Sequence, residues 1–207
     1  VRDQLLHRPV NEKDWVVVGA TPEKLASLGY QPVGKDFPVF LHPTTHEEYA
    51  LARSEKKSSP GYKGFIFHAD RNVTLEQDLK RRDLTINAMA ETETGVMIDP
   101  HGGRNDLKRR ALRHISSTFE EDPLRILRVA RFNAKCHHLD FSVDHETTEL
   151  IKTMVTKREH KELTAERILM ELDKALITRN PAEFFRYLVQ VGADSLLWPE
   201  ITDAAYD

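Results

Sequence analysis

Four stretches of this sequence gather residues that can do chemistry together. Glu12-Lys13-Asp14 runs straight into Trp15-Val16-Val17-Val18. If these residues form one strand, Glu12 and Asp14, two apart, point to the same face. Two carboxylates side by side suit a divalent cation such as Mg²⁺, which takes one or two carboxylates and completes its shell with water and substrate phosphate. The plainer alternative is an acidic turn leading into a buried strand. A third acid, Glu48, lies in Glu47-Glu48-Tyr49-Ala50-Leu51-Ala52. Alternation there puts Glu48 on one face with Ala50 and Ala52, whose small side chains leave room for a ligand; a solvated surface glutamate is the competing reading.

The third stretch is Arg81-Arg82-Asp83-Leu84-Thr85-Ile86-Asn87-Ala88. Arginine forks match phosphate oxygens, and Asp83 and Asn87, four apart on a helix, can hydrogen-bond a sugar hydroxyl. Equally, Asp83 can serve the first turn of a helix whose apolar face is Leu84, Ile86 and Met89. The fourth stretch runs from Glu121-Asp122-Pro123 through Arg125, Arg128 and Arg131 to Phe132. On a helix these basic positions step round by about 60° each, so one face carries three guanidiniums. Asp122 and Arg125 can be a simple intrahelical pair. Three arginines without matching acids repel one another, and a polyanionic ligand would relieve that repulsion.

These groups need elements to hold them. Residues before about Arg113 mix short β-like runs, such as Trp15 to Val18, Pro38 to Leu41 and Glu48 to Ala52, with turns at Pro43, Gly61 and Gly64. Ser54 to Lys63, polar and carrying a Pro-Gly turn, reads as an exposed, mobile loop that connects two strands. From Pro123 onward apolar residues recur at helical spacing, with further helices expected over Leu163 to Leu176 and Pro181 to Val191. Asn180 before Pro181 is a helix start signal, and Gly192 is the stop. The boundary between a mixed α/β head and an all-helical remainder falls near Arg113.

The 207 residues leave ample room for a core, and 40% hydrophobic with 30% charged residues is an ordinary globular balance that argues against a disordered tail or a collagen-like fibre. One cysteine, Cys136, excludes an intrachain disulfide and a cysteine-based zinc cluster. No apolar stretch approaches the ~20 residues of a membrane span, and no signal peptide is evident, so a cytoplasmic location without membrane attachment is expected. A net charge of -3 gives no chain-wide nucleic-acid footprint, so any such site is local.

Taken together, these motifs resemble the bacterial class II tRNA nucleotidyltransferases, the CCA-adding enzymes. The resemblance rests on Val1-Arg2-Asp3 with Leu5-Leu6, Glu12-x-Asp14 before Trp-Val-Val-Val, Arg81-Arg82-Asp83-Leu84-Thr85-Ile86-Asn87-Ala88, and Ile98-Asp99-Pro100 followed by Gly103 and Asp106-Leu107. Glu121-Asp122-Pro123-Leu124-Arg125-Ile126-Leu127-Arg128-Val129-Ala130-Arg131-Phe132 and Glu166-Arg167 with Glu171 complete it. Order and spacing match along nearly the whole chain. The related poly(A) polymerases share many of these motifs, but Lys13 to Pro22 looks more like the CCA-adding branch.

The resemblance implies an α+β protein: a polymerase-β-type nucleotidyltransferase head with a mixed sheet over residues 1–113, followed by an all-helical neck and start of body over 114–207. It implies Mg²⁺ on Glu12 and Asp14, with Glu48 activating the attacking hydroxyl. Triphosphate and sugar contacts fall on Arg2, Arg82 and Asp83. The nucleotide-selecting helix falls on Asp122 and Arg125, with Arg128 and Arg131 as further nucleotide contacts. The implied reaction adds C, C and A to the tRNA 3′ acceptor end from CTP and ATP. Alternatives are a poly(A) polymerase using ATP on RNA 3′ ends, or a catalytically impaired RNA- or nucleotide-binding fragment. Glu12 stands where the family usually has aspartate. Val1 lacks the paired glycines expected before it, so a truncated product is expected.

Overall fold

The computed structural model describes residues 1–10, 13–33, 39–57, 65–68, 71–157 and 163–194. A short helix α1 (Arg2–Leu5) precedes β1 (Asp14–Val17), α2 (Pro22–Ser27), β2 (Gln31–Val33), β3 (Val39–Leu41) and β4 (Glu48–Leu51). The four strands form one mixed sheet in the order β1-β4-β3-β2, with β1 parallel to β4 and the other neighbours antiparallel. Helix α2 is the crossover element that follows the first strand, capped by Thr21, whose side chain accepts from Lys24 N.

Alternation gives the sheet two unlike faces. Trp15 and Val17 pair with Tyr49 and Leu51 on one face, and Phe40 faces Tyr49 from β3. Leu25 of α2 joins Phe40 and Leu51 there in a small buried core flanked by Val17, Ala20 and Tyr30. Trp15 stacks on Tyr49 at 5.5 Å between ring centroids, which sets the outer end of that face. The opposite face carries Asp14, Val16, Glu48 and Ala50.

Ser54 to Lys63 departs from the loop expectation. Its first residues form β5 (Ser54–Lys57), antiparallel to β6 (Phe65–His68), while residues 58–64 lie outside the described set. Strand formation follows from pairing with a neighbouring strand, which overrides the weak β-propensity of a Ser-Glu-Lys-Lys run.

After β6 come α3 (Leu75–Lys80), a 3-10 turn (Thr85–Asn87), the pair β7 (Ala90–Glu91) and β8 (Met97–Ile98), α4 (Gly103–Arg109) and β9 (Ala111–Leu112). A second 3-10 turn (Ser117–Glu121) leads into α5 (Leu124–Cys136); β10 (Ser142–Val143), α6 (His145–Thr156), α7 (Ala165–Leu176) and α8 (Ala182–Val191) complete the described chain. β10 pairs with β9, and α5 packs against both α7 and α8. The larger core runs through position 113 without interruption: Leu84, Ile86, Leu107 and Leu112 pack with Leu127, Ala130, Ile151, Phe184 and Leu188. The described helices include none long and apolar enough to cross a membrane.

Two helix-end expectations fare differently. Gly192 ends α8 in the left-handed region at φ 72°, as its type requires. Asn180 does not cap the start of α8: its Oδ1 is buried without a hydrogen-bond partner, and its backbone oxygen takes Glu183 N instead. Pro181, with φ -63°, already provides the helical start.

Gly103 marks a close approach. A Cβ on this residue would lie 2.3 Å from the Thr85 carbonyl oxygen and 2.9 Å from Met89 Cγ. Thr85 cannot retreat easily, because its N–H is bonded to Arg113 O and its hydroxyl to Asp106. Gly103→Ala should therefore cost about 2–3 kcal/mol through overpacking, lowering the melting temperature by roughly 5–10 °C. Thermal unfolding followed by circular dichroism reads this directly, and an unchanged midpoint would mean that the turn and helix shift apart freely.

Candidate active site

The parallel ladder brings Asp14 and Glu48 opposite each other: they are register partners at the first positions of β1 and β4. Neighbouring strands lie about 4.8 Å apart, so the two carboxylates share one end of one sheet face. Both are exposed. They line a cleft of about 470 Å³ with Val10, Lys13, Thr45, His46 and Glu47, within the usual size range for a small-molecule ligand. Val16 and Ala50, the next residues on this face, are small enough to leave it open. Glu47 is otherwise engaged, accepting from Trp15 Nε1 at 3.1 Å and from Thr45 Oγ1 at 3.3 Å. Among the described residues, no hydrogen bond or ion pair occupies the carboxylates of Asp14 and Glu48. Glu12 lies outside the described residues.

This donor set fits a hard divalent cation. No three His, Cys, Asp or Glu groups gather as a metal cage among the described residues. Mg²⁺ at a phosphoryl site needs only one or two carboxylates, with water and phosphate oxygens supplying the rest.

A second, more buried constellation joins the 81–87 segment to α5 and α7. Asp83 is 4% exposed. Its Oδ1 accepts from Leu84 N at 2.7 Å and Asn87 Nδ2 at 3.1 Å, and its Oδ2 accepts from Arg128 Nε at 2.7 Å and pairs with Arg128 Nη2 at 2.6 Å. Burial alone would push the Asp83 carboxyl upward, but the Arg128 charge, the Asn87 amide and the Leu84 N–H together hold it below the usual carboxylate range. With both oxygens engaged, a sugar hydroxyl reaches Asp83 only by displacing one of these partners.

The expectation of three arginines without matching acids is corrected at Arg128 and Arg131, which this geometry supplies with acids. Arg128 is paired with Asp83 and lies 3.9 Å from Glu171 of α7, while Arg131 Nε donates to Glu171 at 2.5 Å. The guanidinium of Arg131 also sits 4.6 Å from the Phe132 ring centroid. Arg125, 7% exposed, donates to the carbonyls of Thr118 at 2.7 Å and Arg81 at 2.6 Å. The acids that balance this helix face lie elsewhere in the chain, so no count along the helix itself reveals them. Nor is Asp122 the intrahelical partner of Arg125: its side chain accepts from Leu124 N at the start of α5 and from Arg167 Nη2 of α7 at 3.0 Å.

Arg2 and Arg82 reach the same constellation from two directions. Arg2 pairs with Asp3, lies 5.3 Å from the Phe132 ring centroid, and donates through Nη1 to Asn87 Oδ1 at 2.6 Å. Arg82 donates to the Asn87 carbonyl at 3.1 Å and pairs with buried Asp78 at 3.3 Å. The structure thus gathers Arg2, Arg82, Asp83, Arg128 and Arg131 into one linked set, with Arg125 attached through Arg81 O. Asp14 and Glu48 stand apart, at the opposite end of β1 and β4 from Arg53, whose N–H meets Asp78 Oδ1. Glu171, Arg167 and Asp78 are the partners that residue-by-residue reading left without a role. One signal was available: Arg167 and Glu171, four apart, share a helix face, an arrangement suited to ion pairing.

A mixed sheet carrying two in-register carboxylates at one end of its parallel pair is the architecture of a polymerase-β-type nucleotidyltransferase head. The chain belongs to the family described as Poly A polymerase head domain, which matches residues 1–113, and residues 140–205 match that described as Probable RNA and SrmB- binding site of polymerase A. It is 59% identical over 201 residues to a CCA-adding enzyme of Actinobacillus succinogenes, covering 97% of this chain and 50% of that protein. Among solved structures, the Bacillus stearothermophilus CCA-adding enzyme in complex with CTP is similar at a TM-score of 0.77 and 29% identity, over 95% of this chain and 47% of that one. The Thermotoga maritima CCA-adding enzyme complexed with tRNA-CCA is similar at 0.74 and 29%, over 96% and 46%. The chain spans about half the length of the curated relatives it matches.

Proposed function

We propose that this chain carries the catalytic head, residues 1–113, and the helical neck, from 114 onward, of a cytoplasmic enzyme that adds C, C and A to the 3′ end of tRNA. The observation that carries the reading is the in-register Asp14 and Glu48 pair on an open cleft. The similarity to CCA-adding enzymes, one with CTP and one with tRNA, supports the choice of substrates.

Glu12 and Asp14 are the residues that would hold Mg²⁺, with Glu48 opposite Asp14 in the ladder. Bound there, the ion supplies charge neutralisation at the phosphate oxygens. The tRNA 3′-hydroxyl oxygen forms the new bond to the α-phosphorus of CTP or ATP as the bond to pyrophosphate breaks. Glu48 takes the hydroxyl proton. Arg2 and Arg82 offer guanidinium forks to the triphosphate, and their pairing with Asp3, Asn87 and Asp78 fixes them before substrate arrives. Arg128 and Arg131 contribute to the same field, with Asp83 and Glu171 holding them in place.

Base choice falls to Asp122 and Arg125. A carboxylate accepts from the exocyclic amine of C or A, and a guanidinium donates to the adjacent ring nitrogen; U and G present the reverse pattern. Arg125 makes that donation in exchange for one of the two carbonyls it holds. Arg167 leaves Asp122 lone pairs free while fixing its direction. Asp122→Ala should reduce discrimination between CTP and UTP by roughly tenfold to a hundredfold while slowing CTP less, because a site that leaves polar groups unpaired rejects the wrong base. Competition between the two nucleotides measures this, and retained discrimination would remove Asp122 from the template role.

The deciding experiment supplies a tRNA lacking its 3′ CCA, Mg²⁺, and labelled CTP, ATP or both, with products resolved to single nucleotides. Two additions from CTP and a third only with ATP establish the activity. A ladder of A residues would instead indicate poly(A) synthesis, and no extension a binding fragment.

A further inference from the structure

Asn87 sits where three residues of the proposed nucleotide site meet. Its Oδ1 accepts from Arg2 Nη1 at 2.6 Å, its Nδ2 donates to Asp83 Oδ1 at 3.1 Å, and its carbonyl oxygen accepts from Arg82 Nη1 at 3.1 Å. Arg2 lies 85 residues away in the chain, so this contact is made by tertiary folding alone. The amide orientation follows from its neighbours: the oxygen must face the guanidinium and the nitrogen the carboxylate, since the reverse would oppose like partners. The backbone is fixed as well, because Asn87 closes a 3-10 turn in which its N–H meets Leu84 O at 2.9 Å.

No other side chain of this size provides both halves. Aspartate keeps the acceptor for Arg2 but sets a second negative charge against Asp83. Alanine loses both bonds. Arg2 uses three N–H groups on Asp3 and Asn87 among the described residues, out of the five a guanidinium owns, so it is held without being exhausted.

We infer that Asn87 is a positioning residue whose side chain sets Arg2 against Asp83, beside Arg82 held on its backbone carbonyl, so that two guanidiniums present a preformed seat for a nucleoside triphosphate. This inference rests on the nucleotidyl-transfer reading above. Asn87 acts through the arginines, and its effect is on nucleotide affinity rather than on bond making. It does not touch Asp122, so it carries no base selectivity.

The test compares the unaltered protein with Asn87→Ala and Asn87→Asp, each shown by circular dichroism to be folded. Equilibrium CTP binding and steady-state incorporation into tRNA lacking CCA are both measured. Asn87→Ala should weaken CTP and ATP binding alike by roughly tenfold, raising KM with kcat changed little, as expected when bonds to charged groups are lost. Asn87→Asp, although nearly the same shape, should weaken binding further. A purely structural role predicts the opposite order, with the isosteric aspartate milder than alanine and KM unchanged in the folded fraction. That order, or unaltered CTP affinity in Asn87→Ala, overturns the inference. Should the unaltered protein bind CTP but fail to extend tRNA, with both variants binding more weakly, the positioning role stands and the CCA-adding reading falls. Failure of the unaltered protein to bind CTP overturns both.

Discussion

Asp14→Ala should reduce nucleotide incorporation by about three orders of magnitude or more while leaving CTP binding nearly intact, the signature of an interaction made mainly in the transition state. Asp14 faces an open cleft and has no protein partner among the described residues, so its removal leaves no buried group stranded. The fold should therefore survive, with a melting temperature close to that of the unaltered protein. What disappears is half of the carboxylate pair. Glu12, left alone, offers a divalent cation one carboxylate in place of two. Single-turnover incorporation with labelled CTP, alongside CTP binding, separates the two effects. Unchanged turnover would remove Asp14 from the metal site, and equal loss of binding and turnover would place it on the nucleotide instead.

Arg128→Ala has the converse profile: a large loss of stability that depends on pH. Asp83 is almost completely buried, and Arg128 supplies the principal charge that keeps its carboxylate ionised. Without it, a negative charge remains buried with only the Asn87 amide and the Leu84 N–H. Such losses cost about 3–5 kcal/mol when both partners are buried, and Arg128 is 35% exposed, so about 2–3 kcal/mol is expected at pH 7. The sign with pH follows from linkage. In the unaltered protein the Asp83 pKa is depressed, so its stabilising contribution is full above the ordinary carboxylate range and is lost as pH falls through the folded pKa. In the variant, burial raises the pKa, and protonation relieves the buried charge. The deficit of the variant relative to the unaltered protein should therefore shrink as pH falls from 7 toward 5. Urea unfolding at both values measures it, and a deficit that stayed constant would show that Asp83 is not the group left unpaired.

Much of this protein was legible in the residues themselves. Asp14 at a strand start and Glu48 in an alternating run were readable because strand periodicity is local, and the helix that holds Arg125, Arg128 and Arg131 was readable because apolar spacing from Leu124 onward is local too. Gly192 stopped α8 for a reason contained in one residue, its tolerance of positive φ. Partners across the chain were a different matter. That Asp14 and Glu48 are opposite each other is a matter of sheet register, set when β4 pairs parallel to β1 rather than by either segment. Packing likewise gave acids to two arginines of an apparently unbalanced row, because Asp83 meets Arg128 where the 81–87 segment lies against α5, and Glu171 reaches Arg131 once α7 packs against α5. Asn180 looked like a cap and is not one, since its side chain is buried where tertiary packing placed it. Sequence by itself determined which groups could do chemistry and which elements carry them, as those follow from side-chain type and short-range periodicity. Tertiary structure alone decided which acid meets which base, because ion pairs form between neighbours in space whose separation along the chain is, for Arg128 and Asp83, 45 residues.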